Sequence, residues 1–334
     1  MTVTSLNLTT NKHLLATEYS LPLYPLIDTH THFDAPIFDN DRQSQAQQAY
    51  EYGVRHLVLV GYLYRHFERL YDVQQALEQM PQFTRADDSD QLNSYPKVHI
   101  ALGLHPFYIE QHTETHLETM AQRLNQHRPL AIGEIGLDTY TDTMKQPEMV
   151  AKQQRFFKAQ LDMAVTHQLP VLLHIRKAHA EALALLKAHY YDAHKLGGIA
   201  HSFSGGKQEA IAFVKLGFKL GVTGQVTNPN AKKLRRAIQA AVASYGIGCL
   251  VIETDCPDMM PIKCQTPNSN QLALGQSVDN EWGDAPIHNR NVPANLPWVL
   301  MSLSEMLSVE PDDLARQLWQ NSCDALHTTW AYPK

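Results

Sequence analysis

Cysteine is scarce in this sequence, with four residues in 334, and none of them forms a Cys-x-x-Cys pair. So few cysteines exclude a disulfide framework in a chain of this length, and the missing pair removes a common thiolate metal motif. Cys249 is typical of a small buried hydrophobic residue. We therefore expect a protein of a reducing compartment, the cytoplasm.

Long apolar runs are absent as well. Residues 1–20 are polar and lack the apolar segment of a secretory signal. No stretch reaches the roughly 18 apolar residues that a membrane-spanning helix requires. We therefore expect no membrane association, and no feature of the sequence indicates an obligate protein partner or an oligomeric state.

The sequence also lacks an excess of positive charge, because 28 lysines and arginines are outnumbered by 34 acidic residues, giving a net charge of −6. This balance excludes a broad basic surface for gripping nucleic acid. Hydrophobic residues nevertheless make up 44% of the chain, which is enough for a substantial core. The length allows either two domains or one large α/β barrel.

What the sequence does contain is a regular alternation of apolar and amphipathic segments. The segments that we interpret as strands are residues 26–30, 54–60, 98–104, 130–134, 171–174, 198–201, 218–222 and 250–254. The segments that we interpret as helices are residues 43–52, 64–80, 116–127, 149–167, 179–189, 207–216, 231–243, 298–307 and 311–326. Eight parallel strands alternating with helices predict an α/β fold, a (β/α)8 TIM barrel. A doubly wound open sheet is the alternative, but it usually has fewer strands, and no Gly-x-Gly-x-x-Gly follows the first one.

The segment order also predicts the domain organisation. We expect an N-terminal extension over residues 1–23 and a single barrel domain over residues 24–330. Residues 259–295 are rich in proline and asparagine and follow the eighth strand, so they predict a long loop. Long loops at this end of a barrel are commonly functional.

Metal-binding side chains follow the apolar part of five predicted strands. Period-two alternation places His30 and His32 on the same side of the first strand, together with Asp28. The complete set is His30, His32, Glu134, His174, His201 and Asp255. The chain has 18 histidines, so one His-x-His pair is easily accidental, and each residue alone has an ordinary structural explanation. Five strands ending this way at one barrel mouth nevertheless predict a metal site.

Other polar residues are candidates for substrate binding. His105 follows the third strand and is as consistent with a functional role, either binding substrate or supporting the ligands, as with a structural one. His288 in the long loop is a weaker candidate. The Arg176 guanidinium could form bidentate hydrogen bonds with a phosphate, although a salt bridge to a neighbouring carboxylate explains this residue equally well. The basic run at residues 232–236 is more typical of a solvated helix face than of a nucleic-acid contact. We expect the histidines on or beside helices to be structural, namely His112, His116, His127, His179, His189 and His194.

Six segments together resemble the TatD family of metal-dependent hydrolases, within the amidohydrolase-like barrels. They are residues 27–34 (IDTHTHFD), 103–106 (GLHP), 133–138 (GEIGLD), 170–176 (PVLLHIR), 201–205 (HSFSG) and 253–259 (ETDCPDM). In order and spacing the resemblance covers about residues 24–327, and the Pro-Asp-Met at its end resembles the YjjV-like branch of the family. Two features depart from the family pattern: Val292 replaces an acidic residue in Arg290-Asn291-Val292-Pro293, and the loop from residue 262 to 288 is longer than expected.

The resemblance implies two divalent metal ions and a role for each ligand. It implies that Glu134 bridges the ions, with His30, His32 and Asp255 on one ion and His174 and His201 on the other. Mixed histidine and carboxylate ligands suit zinc, manganese, iron or nickel, whereas magnesium prefers more oxygen. The family is associated with deoxyribonuclease activity, including 3′–5′ exonuclease action on single-stranded DNA.

These residues lead to a hypothesis for catalysis. Two ions about 3.5–4 Å apart activate water and neutralise charge on a phosphodiester, while Asp255 orients the water and accepts its proton. We expect Asp255 and Glu134 to be catalytic residues, and His105 and Arg176 to bind substrate. An amide or ester hydrolase, such as a deacylase, is the alternative because the same site acts on a carbonyl group. A non-catalytic binding module is disfavoured, since it has no need of the complete ligand set.

Overall fold

The computed structural model describes residues 23–80, 95–265 and 290–333. The strands are β1 Leu26–Thr31, β2 Val54–Val60, β3 Lys97–Leu102, β4 Ala131–Asp138, β5 Val171–Arg176, β6 Ile199–Ala200, β7 Lys219–Val222 and β8 Leu250–Ile252. The α-helices are α1 Arg42–Glu51, α2 Phe67–Glu78, α3 Glu114–Gln126, α4 Pro147–His167, α5 His179–Ala188, α6 Ala193–Leu196, α7 Lys207–Lys215, α8 Lys232–Tyr245, α9 Leu296–Leu307 and α10 Pro311–Leu326. Within these residues, no helix combines the length and the apolar character needed to cross a membrane.

The eight strands follow one another around a barrel in chain order. Each strand pairs in parallel with the next, from β1 with β2 through β7 with β8. All side chains of β1 and β4 are buried, as expected for strands covered on both faces. The predicted TIM barrel is therefore confirmed, and the open doubly wound sheet is excluded.

Two apolar layers hold the barrel together. The outer layer lies between strands and helices, where α8 buries Leu234, Ala237, Ile238 and Ala241 at helical spacing. The inner layer fills the barrel with side chains from six strands: Val58, Val60, Ala101, Ala131, Leu172, Ile199 and Val251. Because these residues fill the interior, polar side chains collect at the carboxyl ends of the strands.

Parts of the predicted domain plan lie outside the described residues. They are residues 1–22 of the N-terminal extension and residues 266–289 of the long loop, including His288. The domain boundaries and the role of the loop therefore stay predictions.

Polar contacts join the first strand to the last and close the barrel. The Asp255 N–H donates to the His30 carbonyl at 2.9 Å, and the Thr254 N–H donates to the Asp28 carboxylate at 2.9 Å. The Thr254 hydroxyl donates to the same carboxylate. Asp28 is fully buried, and this desolvation raises its pKa to about 7.

Replacing Asp28 should therefore weaken this closure. Asp28→Ala leaves the Thr254 N–H without its acceptor, and we expect the free energy of unfolding to fall by about 1–3 kcal/mol. Asp28→Asn keeps an acceptor and should cost less. Urea unfolding in EDTA measures both effects.

A comparison of wild type with Asp28→Asn also tests the titration of Asp28. Its pKa of about 7 exceeds the ordinary 3.8, so the folded state binds the proton more tightly. Its contribution to stability must therefore fall as the pH rises from about 4 to about 7. Wild type should lose stability relative to Asp28→Asn between pH 5 and pH 8, and an unchanged difference would contradict the assignment.

Candidate metal centre

The six residues proposed as metal ligands come together at the carboxyl mouth of the barrel. They lie within or directly after five strands: His30 and His32 at β1, Glu134 in β4, His174 in β5, His201 after β6 and Asp255 after β8. All of them are buried except His174, which is partly exposed. Residues up to 225 positions apart in the chain thus share one polar cluster.

The Glu134 carboxylate lies at the centre of this cluster, and its two oxygens face different histidines. Oε2 is 3.3 Å from His30 Nε2 and 3.5 Å from His32 Nε2. Oε1 is 2.7 Å from His174 Nδ1 and 3.7 Å from His201 Nε2. The carboxylate therefore separates the histidines into the two pairs that the family resemblance implies.

Asp255 lies close to histidines of both pairs. One of its oxygens is 3.9 Å from His30 Nε2 and 4.0 Å from His32 Nε2, and the other is 3.5 Å from His201 Nε2. Its backbone has a φ of 53°, a left-handed conformation that aspartate tolerates better than most residues. The resemblance assigns Asp255 to the His30–His32 pair alone, whereas its nearest histidine nitrogen in the structure belongs to His201.

The donor atoms fit a divalent cation. Both ring nitrogens of His30 and Oε2 of Glu134 are buried without a hydrogen bond among the described residues. Buried polar atoms of this kind normally have a partner, and a bound ion supplies one. In three sets of residues at this mouth, the potential ligand atoms lie close enough together to bind one metal ion. The sets are His30–His32–Asp255, His30–His201–Glu253 and His105–Glu134–His174.

The charges of the cluster depend strongly on one another. Burial alone would raise the pKa of Glu134, but His105, His30 and His201 hold it well below its ordinary value. Burial would lower the pKa of His201, yet the carboxylates around it raise that pKa well above the ordinary value. The protein thus keeps Glu134 ionised and surrounds its histidines with negative charge that attracts a cation.

Two carboxylates behind the histidines were not predicted as functional residues. Asp138 Oδ2 lies 2.9 Å from His174 Nε2, and Glu253 Oε1 lies 2.9 Å from His201 Nδ1. Asp138 therefore holds the His174 nitrogen that faces away from Glu134 by a hydrogen bond, the arrangement that orients histidine ligands in many metal sites. Glu253 approaches the corresponding nitrogen of His201 as a charge partner, without hydrogen-bond geometry. Period-two spacing is the sequence signal for both, since Asp138 is four residues after Glu134 and Glu253 is two before Asp255.

The barrel wall makes room for Glu253. Its carboxylate also accepts the Ser202 N–H at 2.6 Å and the Thr29 hydroxyl at 3.1 Å. A Cβ atom on Gly221 of β7 would lie 2.3 Å from Glu253 Oε1, so only glycine fits beside the carboxylate. Three neighbouring groups therefore fix the orientation of Glu253 against His201.

His105 joins the same cluster. Its Nε2 is 3.2 Å from Glu134 Oε1 and 3.1 Å from His174 Nδ1. Its Nδ1 accepts the Phe107 N–H at 3.0 Å, so the neutral ring carries its proton on Nε2, facing the mouth. Burial lowers the pKa of His105 to about 4, which keeps the ring neutral. His112, predicted to be structural, contacts the His105 carbonyl at 3.1 Å and supports this loop.

Arg176 lies at the rim rather than inside the cluster. Its side chain is exposed, and the guanidinium carbon lies 3.6 Å from the centre of the Tyr140 ring. It is also within electrostatic reach of Asp258, which follows β8. The basic run on α8 exposes Lys232, Lys233 and Arg236 to solvent, as expected for a helix face.

Val292 stands where the family pattern has an acidic residue, and its neighbours Arg290 and Asn291 bind other parts of the chain. Val292 is buried, and Arg290 pairs with Asp41 before α1 and lies over the Phe38 ring. The Asn291 amide donates to the Thr254 carbonyl at 2.9 Å, next to Asp255. Asp41 therefore supplies the carboxylate partner of Arg290 from another part of the chain.

Comparison with known proteins agrees with this geometry. A family model described as TatD related DNase matches residues 27–327. The metal-dependent hydrolase YjjV of Escherichia coli K12 is 36% identical over 236 residues, covering 70% of this chain and 80% of that protein. The 3′-5′ ssDNA/RNA exonuclease TatD of Salmonella typhimurium is 29% identical over 279 residues, covering 83% of this chain and 90% of that protein.

Solved structures show the same architecture. The crystal structure of YjjV, a TatD homolog from Escherichia coli K12, has a TM-score of 0.70 at 30% identity, covering 91% of this chain and 98% of that one. A TatD family hydrolase from Entamoeba histolytica has a TM-score of 0.70 at 19% identity, covering 91% and 98% respectively, and supports the fold alone.

Barrel and mouth together define a TIM-barrel enzyme of the metallo-dependent hydrolase type. Within that class, the chain belongs to the TatD family, because the family model spans nearly its whole length.

Glu253 provides a test of how the cluster is held. Glu253→Gln replaces the carboxylate beside His201 Nδ1 with an amide, so we expect the affinity for divalent metal to fall roughly 10- to 100-fold. Competition with a chelator, monitored by calorimetry, measures this change without any substrate. Glu305→Gln on the exposed side of α9 is the matched control. Equal affinities in the two variants would contradict a role for Glu253 in positioning His201.

Proposed function

We propose that this protein is a metal-dependent phosphodiesterase that degrades single-stranded DNA from its 3′ end. The observation that carries the proposal is the position of Glu134, whose two oxygens face two separate pairs of histidines. One buried carboxylate in this position suits two ions that act on a single phosphate. The Salmonella relative named as a 3′-5′ ssDNA/RNA exonuclease supports the choice of substrate.

The proposal assigns the ligands as follows. Glu134 would serve both of two divalent ions, His30 and His32 would hold one, and His174 and His201 would hold the other. Asp255 completes the set, and its distances to both histidine pairs allow it to serve either ion. Zinc, manganese, iron and nickel all suit this mixture of nitrogen and oxygen donors better than magnesium does.

Two bound ions would activate water and neutralise charge on the phosphate. Asp255 accepts the proton of the attacking water, because its carboxylate lies in the mouth between the histidine pairs. His105 donates a hydrogen bond from its Nε2–H to a phosphate oxygen, since Nδ1 is occupied by the Phe107 N–H. Arg176 at the rim contributes positive charge, which a chain of net charge −6 must supply locally.

We also propose that the enzyme has a single catalytic domain, needs no partner subunit and is located in the cytoplasm. Residues 24–330 form one catalytic domain, and every proposed ligand comes from this single chain, so no partner subunit is needed to build the site. The four cysteines are free, in keeping with a cytoplasmic enzyme.

Removal of two ligands tests the metal assignment. His30→Ala combined with Glu134→Ala should abolish hydrolysis and lower the bound metal measured by elemental analysis, because both ion positions lose a ligand. Circular dichroism should show that the fold persists. Full metal content and full activity in the double variant would refute the assignment.

A substrate panel tests the reaction class. Single-stranded DNA with a 5′ label should give a ladder that shortens from the 3′ end in the presence of manganese, zinc or magnesium. N-acyl and ester substrates under the same conditions should remain intact. Cleavage of the acyl substrates alone would instead establish a deacylase that uses the same residues.

A further inference from the structure

An exposed planar pair lies beside the candidate metal centre. Tyr140 has 49% of its surface exposed, and the Arg176 guanidinium stacks over it at 3.6 Å from the ring centre. The two residues follow or end neighbouring strands β4 and β5 at the mouth. An aromatic ring and a guanidinium in one stack form a flat surface with positive charge.

The pair is fixed relative to the ligands by one carboxylate. Asp138 Oδ1 accepts the Tyr140 N–H at 2.8 Å, while Oδ2 lies 2.9 Å from His174 Nε2. Asp138 is also the register partner of Arg176 in the β4–β5 ladder, and the Thr139 N–H donates to the Arg176 carbonyl at 3.0 Å. The ends of β4 and β5 thus hold both the Tyr140–Arg176 pair and the proposed ligand His174.

The chemistry of the pair matches an unpaired nucleobase. Single-stranded nucleic acids bind proteins through bases that stack on aromatic rings and guanidinium planes, next to positive charge that meets the backbone. A duplex offers no free base face to such a surface. A phosphate alone needs the guanidinium but gains nothing from an exposed tyrosine ring.

We propose that Tyr140 and Arg176 form the stacking subsite for the base next to the scissile phosphate. This inference rests on the proposed nuclease function and specifies which feature of the substrate the protein recognises. The subsite makes the enzyme depend on an unpaired base at the cleavage position, with little preference for its identity, because every base has a flat face.

Binding measurements test the subsite without catalysis. Fluorescence anisotropy in EDTA, and again with calcium, compares 5′-labelled single-stranded DNA with the same strand carrying abasic residues at its last two 3′ positions. Tyr140→Leu should weaken binding of the intact strand between about 5-fold and about 100-fold, the range expected for one stacked base. Tyr140→Phe should stay within about 2-fold of wild type, because it retains the ring.

The abasic strand supplies the decisive comparison. Wild type should bind it as weakly as Tyr140→Leu binds the intact strand, and Tyr140→Leu should hardly distinguish the two strands. Tyr190→Leu, at an exposed tyrosine after α5 and away from the mouth, is the matched control and should behave as wild type. In hydrolysis assays Tyr140→Leu should raise KM for the intact strand more than it lowers kcat.

The outcomes separate this inference from the proposed function. Unchanged binding in a folded Tyr140→Leu protein, or equal preference for the intact strand in both proteins, overturns the subsite while leaving the nuclease in place. Failure of wild type to bind or cleave any oligonucleotide overturns both.

Discussion

The ionised carboxylate of Glu134, buried among histidines, is the interaction on which the rest of the mouth depends. Burying a carboxylate costs several kcal/mol unless partners compensate, and here histidine nitrogens surround it on both sides. Those histidines come from β1, β3, β5 and β6, so each strand must end at the right height around the barrel. The apolar filling below them sets that height and excludes water from beneath the cluster.

The sequence predicts the barrel well where the apolar pattern is strong. β2 and α10 have the predicted bounds, because a continuous apolar run and a regular amphipathic stripe both end sharply. β4 extends to Asp138 instead of ending at 134, because Gly133, Gly136 and Asp138 weaken the apolar pattern while the backbone stays paired with β5. β6 has only two residues, and His201 lies just past its end.

The candidate ligands were identifiable because they follow apolar runs, but the pairing of each histidine with its supporting carboxylate was not. Asp138 and His174 are 36 residues apart, and Glu253 and His201 are 52 apart, so no local pattern connects them. The same applies to Tyr140, which is ordinary in sequence and acquires its stacking partner only when β4 and β5 pair. Strand periodicity indicates the direction of a side chain, whereas the distance between two strand ends requires the folded barrel.

The closure of β1 on β8 has a consequence for how the protein is made. Asp28 and His30 are synthesised early. Their partners Thr254 and Asp255 are synthesised more than 220 residues later. Any shorter nascent chain therefore has an open barrel and an incomplete mouth. The six candidate ligands therefore come together only after the eighth strand has been translated.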